Sequence, residues 1–219
     1  EVHWPQLPRS HPLAVGELYP ELTWAISVAQ EAMPAIRGEL VAWMPSLRDL
    51  AARRPRRLAR ARLFDLRREF KGIWFETPVY ACEWDYSMPC ARWRTPALCG
   101  VLAQLEGHSR SAEACPEDLG THRPPQAPGL LRAVRASVSM VGPPSAVIDW
   151  HGSPQHGRLR LHCPVLVPPN SSSVLSFRDG EALEYREGRC FWFDETVEHR
   201  LVYSGEDFRV SVYVDVFHP

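Results

Sequence analysis

Residues 157–163 read GRLRLHC, a run in which charged or polar side chains alternate with apolar ones. Because successive side chains of a β-strand point to opposite faces of a sheet, this alternation predicts a strand. It places Arg158, Arg160 and His162 on one face, with two leucines and a cysteine on the other. On its own, the pattern also fits an ordinary half-buried strand whose cationic face points to solvent.

A second run of this kind, FRVSVYV, occupies residues 208–214 and is apolar enough for a central strand. It places Arg209 beside small polar and aromatic side chains, opposite a row of valines. A buried guanidinium needs an anionic partner, and no acidic residue is an obvious partner within either run. A bound dicarboxylate, held in the bidentate geometry that arginine favours, is therefore a candidate partner.

The rest of the chain divides into a helical and a β-prone part. From residue 131 onward, about eight short β-prone runs are separated by turn signals, which is typical of a jelly roll or a small barrel. Another β-prone run covers residues 73–80, and residues 96–105 predict a short helix. Between residues 18 and 68, apolar side chains recur at three- and four-residue spacing, which indicates helices with a break or bend at Pro34.

The predicted fold class is mainly β with N-terminal helices, an α+β arrangement. We expect residues 1–219 to form a single domain, in which residues 1–70 are a mostly helical support region and residues 71–219 are the β-core. Residues 107–129 are polar and proline-rich without periodicity, and they predict either a lid over an active site or a flexible insertion.

Overall charge does not indicate a partner. The formal net charge is -1 and the pI is about 6.8, so no global electrostatic attraction to nucleic acid or to an anionic membrane is expected. No apolar stretch approaches the roughly 20 residues that span a bilayer, and the first residues lack a signal-peptide pattern. The compartment stays open at this point, with a slight preference for the cytoplasm.

Residues 53–68 hold eight arginines and are the one segment that suggests phosphate contact. A solvated helix face is the favoured interpretation, because aromatic side chains do not regularly interleave with the arginines as a base-stacking platform would require. An oxygenase that grips nucleic acid through this segment is kept as an alternative.

The six cysteines contain no CxxC pair, which makes a structural zinc site an unfavourable interpretation. The first four cluster in an irregular region, so either a disulfide among them or buried free thiols fit the sequence. A chain of this length does not need disulfides for stability. The cysteines are Cys82, Cys90, Cys99, Cys115, Cys163 and Cys190.

Two histidines, His151 and His199, follow β-prone runs at positions where the mouth of a barrel could gather metal ligands. A lone histidine in such a place is more often structural. Together with arginines on an inward face, however, two neutral imidazoles suit Fe(II), and the open coordination positions can accept 2-oxoglutarate and O2.

Several separate motifs in residues 137–219 resemble those of the aspartyl/asparaginyl β-hydroxylase family, a branch of the Fe(II)- and 2-oxoglutarate-dependent oxygenases. In chain order they are W-H-G-x-P, G-R-L-R-L-H, E-G-R-C-F-x-F-D-E-T-x-E-H and F-R-V-x-x-x-V-D-V-F-H-P. The resemblance implies a double-stranded β-helix core, which is a jelly-roll, cupin-like fold. Before residue 130 the resemblance is restricted to a possible match around residues 75–80.

The resemblance implies roles for particular residues at the metal centre. His151 and His199 would be the iron ligands. Most 2-oxoglutarate oxygenases add a carboxylate two residues after the first histidine, but Ser153 occupies that position here. The family includes members with the same substitution, so the expected centre has two histidines, with water or halide in the third position. A halogenase is therefore a minor alternative.

The resemblance also implies the residues that hold the organic ligands. Arg209 would pair with the distal carboxylate of 2-oxoglutarate, and His162 and Ser139 would assist it. Arg158 would contact a carboxylate of the substrate, and Arg160 would be shared between substrate and cosubstrate.

The activity that follows is hydroxylation with release of succinate and CO2. The substrate would be an amino-acid-like or peptidyl molecule with an acidic group. It would be either an Asp/Asn-type residue, hydroxylated at its β-carbon, or a small molecule of a biosynthetic pathway. No nucleic acid is expected as a partner, nor a membrane within this chain. A non-catalytic cupin-like binding module is the alternative from another class, although intact His151, His199 and Arg209 count against it.

Overall fold

The computed structural model covers both the helical region and the β-core. Residues 108–130, most of the arginine-rich segment, and Ser153 lie outside the part that it describes, so the lid and the nucleic-acid alternative stay untested. The described residues are 13, 15–53, 70–83, 86–91, 94–107, 131, 133–152 and 158–217.

The described residues form three α-helices, a short 3-10 helix and nine β-strands. The helices are α1 (Val15–Leu18), α2 (Thr23–Arg53) and α3 (Pro96–Leu105), with the 3-10 helix at Pro20–Leu22. The strands are β1 (Phe70–Glu83), β2 (Tyr86–Met88), β3 (Ala133–His151), β4 (Arg158–Leu166), β5 (Ser172–Phe177), β6 (Ala182–Glu184), β7 (Phe191–Asp194), β8 (His199–Ser204) and β9 (Arg209–Phe217).

All nine strands belong to one curled antiparallel sheet. Its order is β6-β5-β8-β3-β9-β4-β7, and β1 pairs with both β3 and β2. The first part of β3 pairs with β9 and its last part pairs with β8, so this strand passes from one half of the jelly roll to the other. The predicted class, mainly β with N-terminal helices around a jelly-roll core, is confirmed.

Several element boundaries differ from the sequence prediction. Residues 134–141 and 146–150, two of the short β-prone runs of the sequence, form one strand, because β3 continues through Gly142. Gly142 leaves room there, since a Cβ would lie 2.6 Å from the Phe208 ring. Of the predicted break or bend at Pro34, the break is wrong, because α2 continues through Pro34 and Pro45.

Helix α2 tolerates its prolines because one of its faces is buried against the sheet. A proline inside a helix costs about 3 kcal/mol, since it removes one backbone hydrogen bond and clashes with the preceding turn. The buried side chains recur at helical spacing, and their packing outweighs this cost. They are Ala25, Ala29, Met33, Ile36, Leu40 and Met44.

Each face of the sheet contributes to its own apolar cluster. The valines of β9 and the leucines of β4 pack against α2 and α3 in one apolar cluster. A second apolar cluster fills the inside of the curl with residues such as Ile148, Phe177 and Leu201. The cationic face predicted from sequence turns inward, because Arg209 is 1% exposed and His162 is 7% exposed. The solvent-facing alternative, which was raised for the face of Arg158, Arg160 and His162, was therefore wrong for His162.

Two disulfides link described residues, Cys90–Cys99 and Cys163–Cys190, and none of the described cysteines is free. The first confirms the possibility of a bridge among the first four cysteines. The second, which links β4 to the residue before β7, was not anticipated. Among the described helices, none is long and apolar enough to cross a membrane.

Candidate active site

The two predicted metal histidines face each other across neighbouring strands. His151 in β3 is the cross-strand partner of His199 in β8, and their ring centroids lie 4.3 Å apart. The preceding pair is Ile148 with Leu201, so β3 carries one more residue than β8 between the two pairs. This β-bulge turns His151 to the face of the sheet on which His199 lies. The expectation that these rings converge is met by the geometry, and their role as ligands stays a prediction.

Backbone hydrogen bonds set the tautomer of both rings. Nδ1 of His151 lies 2.7 Å from the carbonyl oxygen of Asp149, and Nδ1 of His199 lies 2.8 Å from that of Val197. A carbonyl oxygen only accepts, so we assign the proton of each neutral ring to Nδ1, and Nε2 keeps a lone pair. Histidine ligands of a metal ion usually have such a hydrogen bond from the ring nitrogen that does not bind the metal.

His199 is neutral over the whole physiological range. Burial lowers its pKa to about 3, and repulsion from His151 acts in the same direction. A neutral imidazole is the form that binds a cation. Within the described ranges, no group of three or more His, Cys, Asp or Glu side chains is arranged to hold a metal ion. The two facing imidazoles are donors that could hold a metal ion, and such a pair suits Fe(II).

A tight turn between β7 and β8 places His199. The side chain of Asp194 accepts hydrogen bonds from the backbone N–H of Thr196 at 2.8 Å and from its hydroxyl at 2.6 Å. Gly152 packs directly against this turn, and a Cβ there would lie 2.8 Å from the carbonyl oxygen of Thr196. The absence of a side chain at Gly152 thus lets the two histidine-bearing segments approach each other.

Replacement of Gly152 by alanine is expected to weaken metal binding. A backbone oxygen cannot rotate away from the new methyl group, so the turn or the end of β3 must move, and one histidine moves with it. We expect the dissociation constant of the apo-protein for Co²⁺ to rise by about tenfold, the lower end of the range for substitutions of residues that orient metal ligands. A titration followed by Co²⁺ absorption measures this constant.

Gly38→Ala is the matched control for this variant. Gly38 lies on the exposed side of α2, and a Cβ there would contact nothing within 4 Å. The control is expected to stabilise the helix by about 0.5–1 kcal/mol and to leave Co²⁺ binding unchanged. Equal Co²⁺ affinity in both variants would contradict the role assigned to Gly152.

Arg209 is buried on the inner face of the sheet, and no carboxylate partner is found for it among the described residues. Its Nη1 donates to the hydroxyl of Ser211 at 3.1 Å, and its Cζ lies 4.3 Å from the centre of the Tyr185 ring. Within the described part of the chain, its Nε has no hydrogen-bond partner. Burial lowers the pKa of Arg209, an effect that Tyr185 opposes. A buried cation in this state is complementary to an anionic ligand.

His162 lies beside Arg209 with unused hydrogen-bonding capacity. Both ring nitrogens are buried and lack a partner among the described residues, as does the hydroxyl of Tyr185. The ring is stacked on Phe191 at 5.5 Å between centroids. Burial lowers the pKa of His162 well below its usual range, and the charge of Arg209 adds to this effect. The neutral ring can therefore offer one donor and one acceptor to a ligand.

Ser139 lies on the same inner face as Arg209. It is the cross-strand partner of Ser211, and its hydroxyl accepts a hydrogen bond from Nε1 of Trp74 at 3.1 Å. Cross-strand partners in an antiparallel sheet point to the same face, so Ser139, Ser211 and Arg209 line one wall. The hydroxyl of Ser139 retains its own proton for donation to a ligand.

Arg160 differs from Arg209 because it already has acidic partners. It forms a bidentate pair with Asp215 at 2.6 and 2.8 Å, and its Nη2 lies 2.5 Å from a carboxylate oxygen of Glu195. Its Cζ lies 3.9 Å above the ring of Tyr213. Asp215 lies one residue beyond the run 208–214, and Glu195 lies outside both runs, so the lack of an obvious acidic partner within the runs did not leave Arg160 unpaired. The role of Arg160 as a cosubstrate ligand stays a prediction.

Arg158 begins β4 on the same face as Arg160 and is half-buried. It contributes to the electrostatics of Glu195: burial raises the pKa of that carboxyl group to about 8, while Arg160 and Arg158 act in the opposite direction. Its role in binding a substrate carboxylate is a prediction.

Four residues of the site were not singled out from sequence: Tyr185, Trp74, Glu195 and Asp215. A signal existed for Asp215, since the alternation that places Arg209 inward also places Asp215 on that face. No local signal pointed to Tyr185 or Trp74, because the elements that carry them reach the cavity only when the sheet closes.

The fold and the inward-facing histidine pair define a jelly-roll, cupin-like protein. Within that class the chain belongs to the Aspartyl/Asparaginyl beta-hydroxylase family, whose sequence profile matches residues 30–219. The family resemblance inferred from the motifs is thus confirmed, and the match extends further towards the N-terminus than the motifs did.

Two curated relatives illustrate this membership. The ornithine lipid ester-linked acyl 2-hydroxylase of Rhizobium tropici is 27% identical over 128 residues, covering 58% of this chain and 42% of the relative. The mouse aspartate beta-hydroxylase domain-containing protein 1 is 29% identical over 153 residues, covering 64% of this chain and 41% of the relative. The chain therefore spans about two fifths of the length of these relatives.

Solved structures of lower identity are also similar. A 2OG-Fe(II) oxygenase family oxidoreductase from Burkholderia pseudomallei is 11% identical, with a TM-score of 0.42 and coverage of 66% of this chain and 68% of the other. A prolyl-4-hydroxylase from Pseudomonas putida is 14% identical, with a TM-score of 0.38 and coverage of 85% and 99%.

Proposed function

We propose that this protein is an Fe(II)- and 2-oxoglutarate-dependent hydroxylase. The observation that carries the proposal is Arg209, a fully buried guanidinium with no carboxylate partner among the described residues, on the inner side of the sheet where His151 and His199 face each other. A dicarboxylate that also chelates a metal ion would satisfy both ends of this cavity at once. Membership of a hydroxylase family supports the same conclusion.

Different residues of the site would bind the metal ion and the cosubstrate. The Nε2 atoms of His151 and His199 would hold iron, and Arg209 would pair with the distal carboxylate of 2-oxoglutarate. His162 and Ser139 would donate hydrogen bonds to the cosubstrate. When bound, iron would supply the activation of O2, with 2-oxoglutarate converted to succinate and CO2 as the substrate is hydroxylated.

Aromatic side chains between the two ends of the cavity would exclude water. Phe193 contacts both His199, at 5.2 Å between ring centroids, and His162, at 6.3 Å. Phe177 packs against Phe193 at 5.8 Å. An apolar lining of this kind strengthens the pairing between Arg209 and a carboxylate, because fewer water molecules compete for the charges.

The substrate that we propose is an amino-acid-like or peptidyl molecule with an acidic group. Arg158, which is half-buried at the start of β4, would receive that group. The name of the family refers to aspartyl and asparaginyl residues, and that of the Rhizobium tropici relative refers to an ornithine lipid, so both names point to molecules that contain an amino-acid unit.

The direct test is the mass of the product. The protein is incubated with Fe(II), 2-oxoglutarate and a panel of acidic amino acids, peptides and acyl-amino acids, and products are analysed by mass spectrometry. We expect a gain of one oxygen in one substrate class, with one succinate formed per product. Oxygen gain that persists without iron or without 2-oxoglutarate would contradict the proposal. Ligand binding without any succinate would favour the non-catalytic binding module.

A further inference from the structure

A single exposed arginine outside the cavity contacts the neighbours of both histidines. Arg178 follows Phe177 at the end of β5, and Phe177 is the cross-strand partner of His199. The guanidinium of Arg178 lies 4.6 Å from the ring centre of Trp150, the residue before His151. Its Nε donates to the carboxylate of Glu198, the residue before His199, at 3.1 Å.

The backbone of Arg178 strengthens the link on one side. Its N–H donates to the carbonyl oxygen of Glu198 at 3.2 Å, so Arg178 is held to the His199 segment by two bonds. On the other side, its flat guanidinium covers the indole of Trp150. Arg178 therefore connects the end of β3 to the start of β8 from the outer side of the sheet.

A contact from outside can affect the position of His151, because β3 is irregularly paired near its end. Trp150 lies in the β-bulge between the pairs Ile148–Leu201 and His151–His199, where the regular ladder is interrupted. Strand β3 ends at His151, so the strand holds this histidine from its N-terminal side only. A second outer contact on the same bulge joins Arg200 to Asp149, at a longer distance of 3.5 Å.

We infer that Arg178 is a positioning residue, which holds the bulge at Trp150 against Glu198 and thereby keeps His151 and His199 at a separation suited to one metal ion. The inference rests on the proposed function, because it concerns the two histidines assigned to iron. An exposed ion pair and an exposed cation–π contact each contribute about 1 kcal/mol or less to stability. Metal affinity is more sensitive, since ligand distances are set to within about 0.2 Å.

The experiment compares metal binding with stability in matched variants. Arg178→Ala removes both contacts. Arg178→Lys keeps the positive charge but loses the planar contact with the indole. Arg37→Ala is the control, because Arg37 forms an equally exposed ion pair of similar length, 3.2 Å to Glu187, between α2 and the segment before β7.

The expected result is a selective loss of metal affinity. For Arg178→Ala, we expect the Co²⁺ dissociation constant of the apo-protein to rise by about fivefold or more, and for Arg178→Lys to rise by less. The 2-oxoglutarate concentration for half-maximal rate at saturating iron should change less than about twofold, because the Arg209 end of the cavity is untouched. The melting temperature should shift by less than about 3 °C, as for Arg37→Ala.

The possible outcomes separate the two proposals. If the parent protein binds no Co²⁺ or Fe(II), the proposed function fails and the inference fails with it. If the parent binds metal and Arg178→Ala binds it equally well, the inference is wrong while the proposed function stands. If Arg37→Ala weakens Co²⁺ binding as much as Arg178→Ala, the effect is general destabilisation, and the positioning role is again wrong.

Discussion

Arg209→Ala is expected to raise the 2-oxoglutarate concentration for half-maximal rate by about 100-fold or more. The substitution removes two charge-assisted hydrogen bonds to the distal carboxylate, each contributing about 1.5–3 kcal/mol, and 1.4 kcal/mol corresponds to a factor of ten. No other described cation replaces it, since Arg160 is committed to Asp215 and Glu195. Succinate formation measured against 2-oxoglutarate concentration gives the value.

Stability should respond far less to this substitution. The loss of packing against Tyr185 destabilises the variant, but a buried guanidinium without a carboxylate partner is itself unfavourable, so the two effects oppose each other. We therefore expect a shift in melting temperature of only a few degrees, on the order of 1 kcal/mol.

Arg209→Lys separates charge from geometry in the same site. Lysine keeps the positive charge but lacks the planar fork that binds a carboxylate through two parallel hydrogen bonds. Its 2-oxoglutarate requirement should fall between those of the parent and the alanine variant. A folded Arg209→Ala protein with the parental 2-oxoglutarate requirement would show that the dicarboxylate binds elsewhere.

His199→Ala is expected to abolish iron-dependent succinate formation. With two imidazoles as the proposed protein ligands, loss of one leaves a single side chain to hold the metal. The described residues offer no third His, Cys, Asp or Glu in a suitable arrangement to replace it. Succinate release and Co²⁺ titration of the apo-protein both measure the effect, and neither signal should exceed the metal-free background.

The fold should survive the removal of this histidine. Burial lowers the pKa of His199 to about 3, so the parent already buries a neutral ring, and removal leaves a cavity rather than an unpaired charge. Circular dichroism should show the parental strand content with a lower melting temperature. Val202→Ala, at an exposed position of the same strand, is the control and should retain metal binding and turnover. Turnover of 2-oxoglutarate by His199→Ala at the parental rate would show that the ligand assignment is wrong.

Much of the fold could be predicted because its signals are local. The period-two alternation around Arg160 and Arg209 defined two strands and their faces, and the helix at Pro96–Leu105 was found with its observed bounds. The helix does not break at Pro34, because the packing of its buried face outweighs the low helix propensity of proline. The buried side chains of α2 pack in one apolar cluster with side chains of the sheet. Such contacts join segments that are distant in the chain, so local propensity does not indicate them.

The site shows the same division. Motif order in the sequence pointed to His151, His199 and Arg209, and the structure buries His199 and Arg209 on the inner side of the sheet, with His151 facing His199. Sequence could not tell which arginine has acidic partners among the described residues, because Asp215 reaches Arg160 from β9 and Glu195 reaches it from the turn after β7. The link through Arg178 joins three segments that are far apart in the chain, and no pattern within any one segment indicates it.

By itself, the sequence determined which side chains share a face, since in an extended chain that follows from position alone. Only the tertiary structure decided that the cationic face turns inward, that a bulge in β3 sets His151 opposite His199, and that Arg209 is left without a carboxylate. The physical reason is that strand register, bulges and charge pairing depend on how the sheet closes on itself. Closure brings together residues separated by about fifty positions, such as His151 with His199 and Arg160 with Asp215.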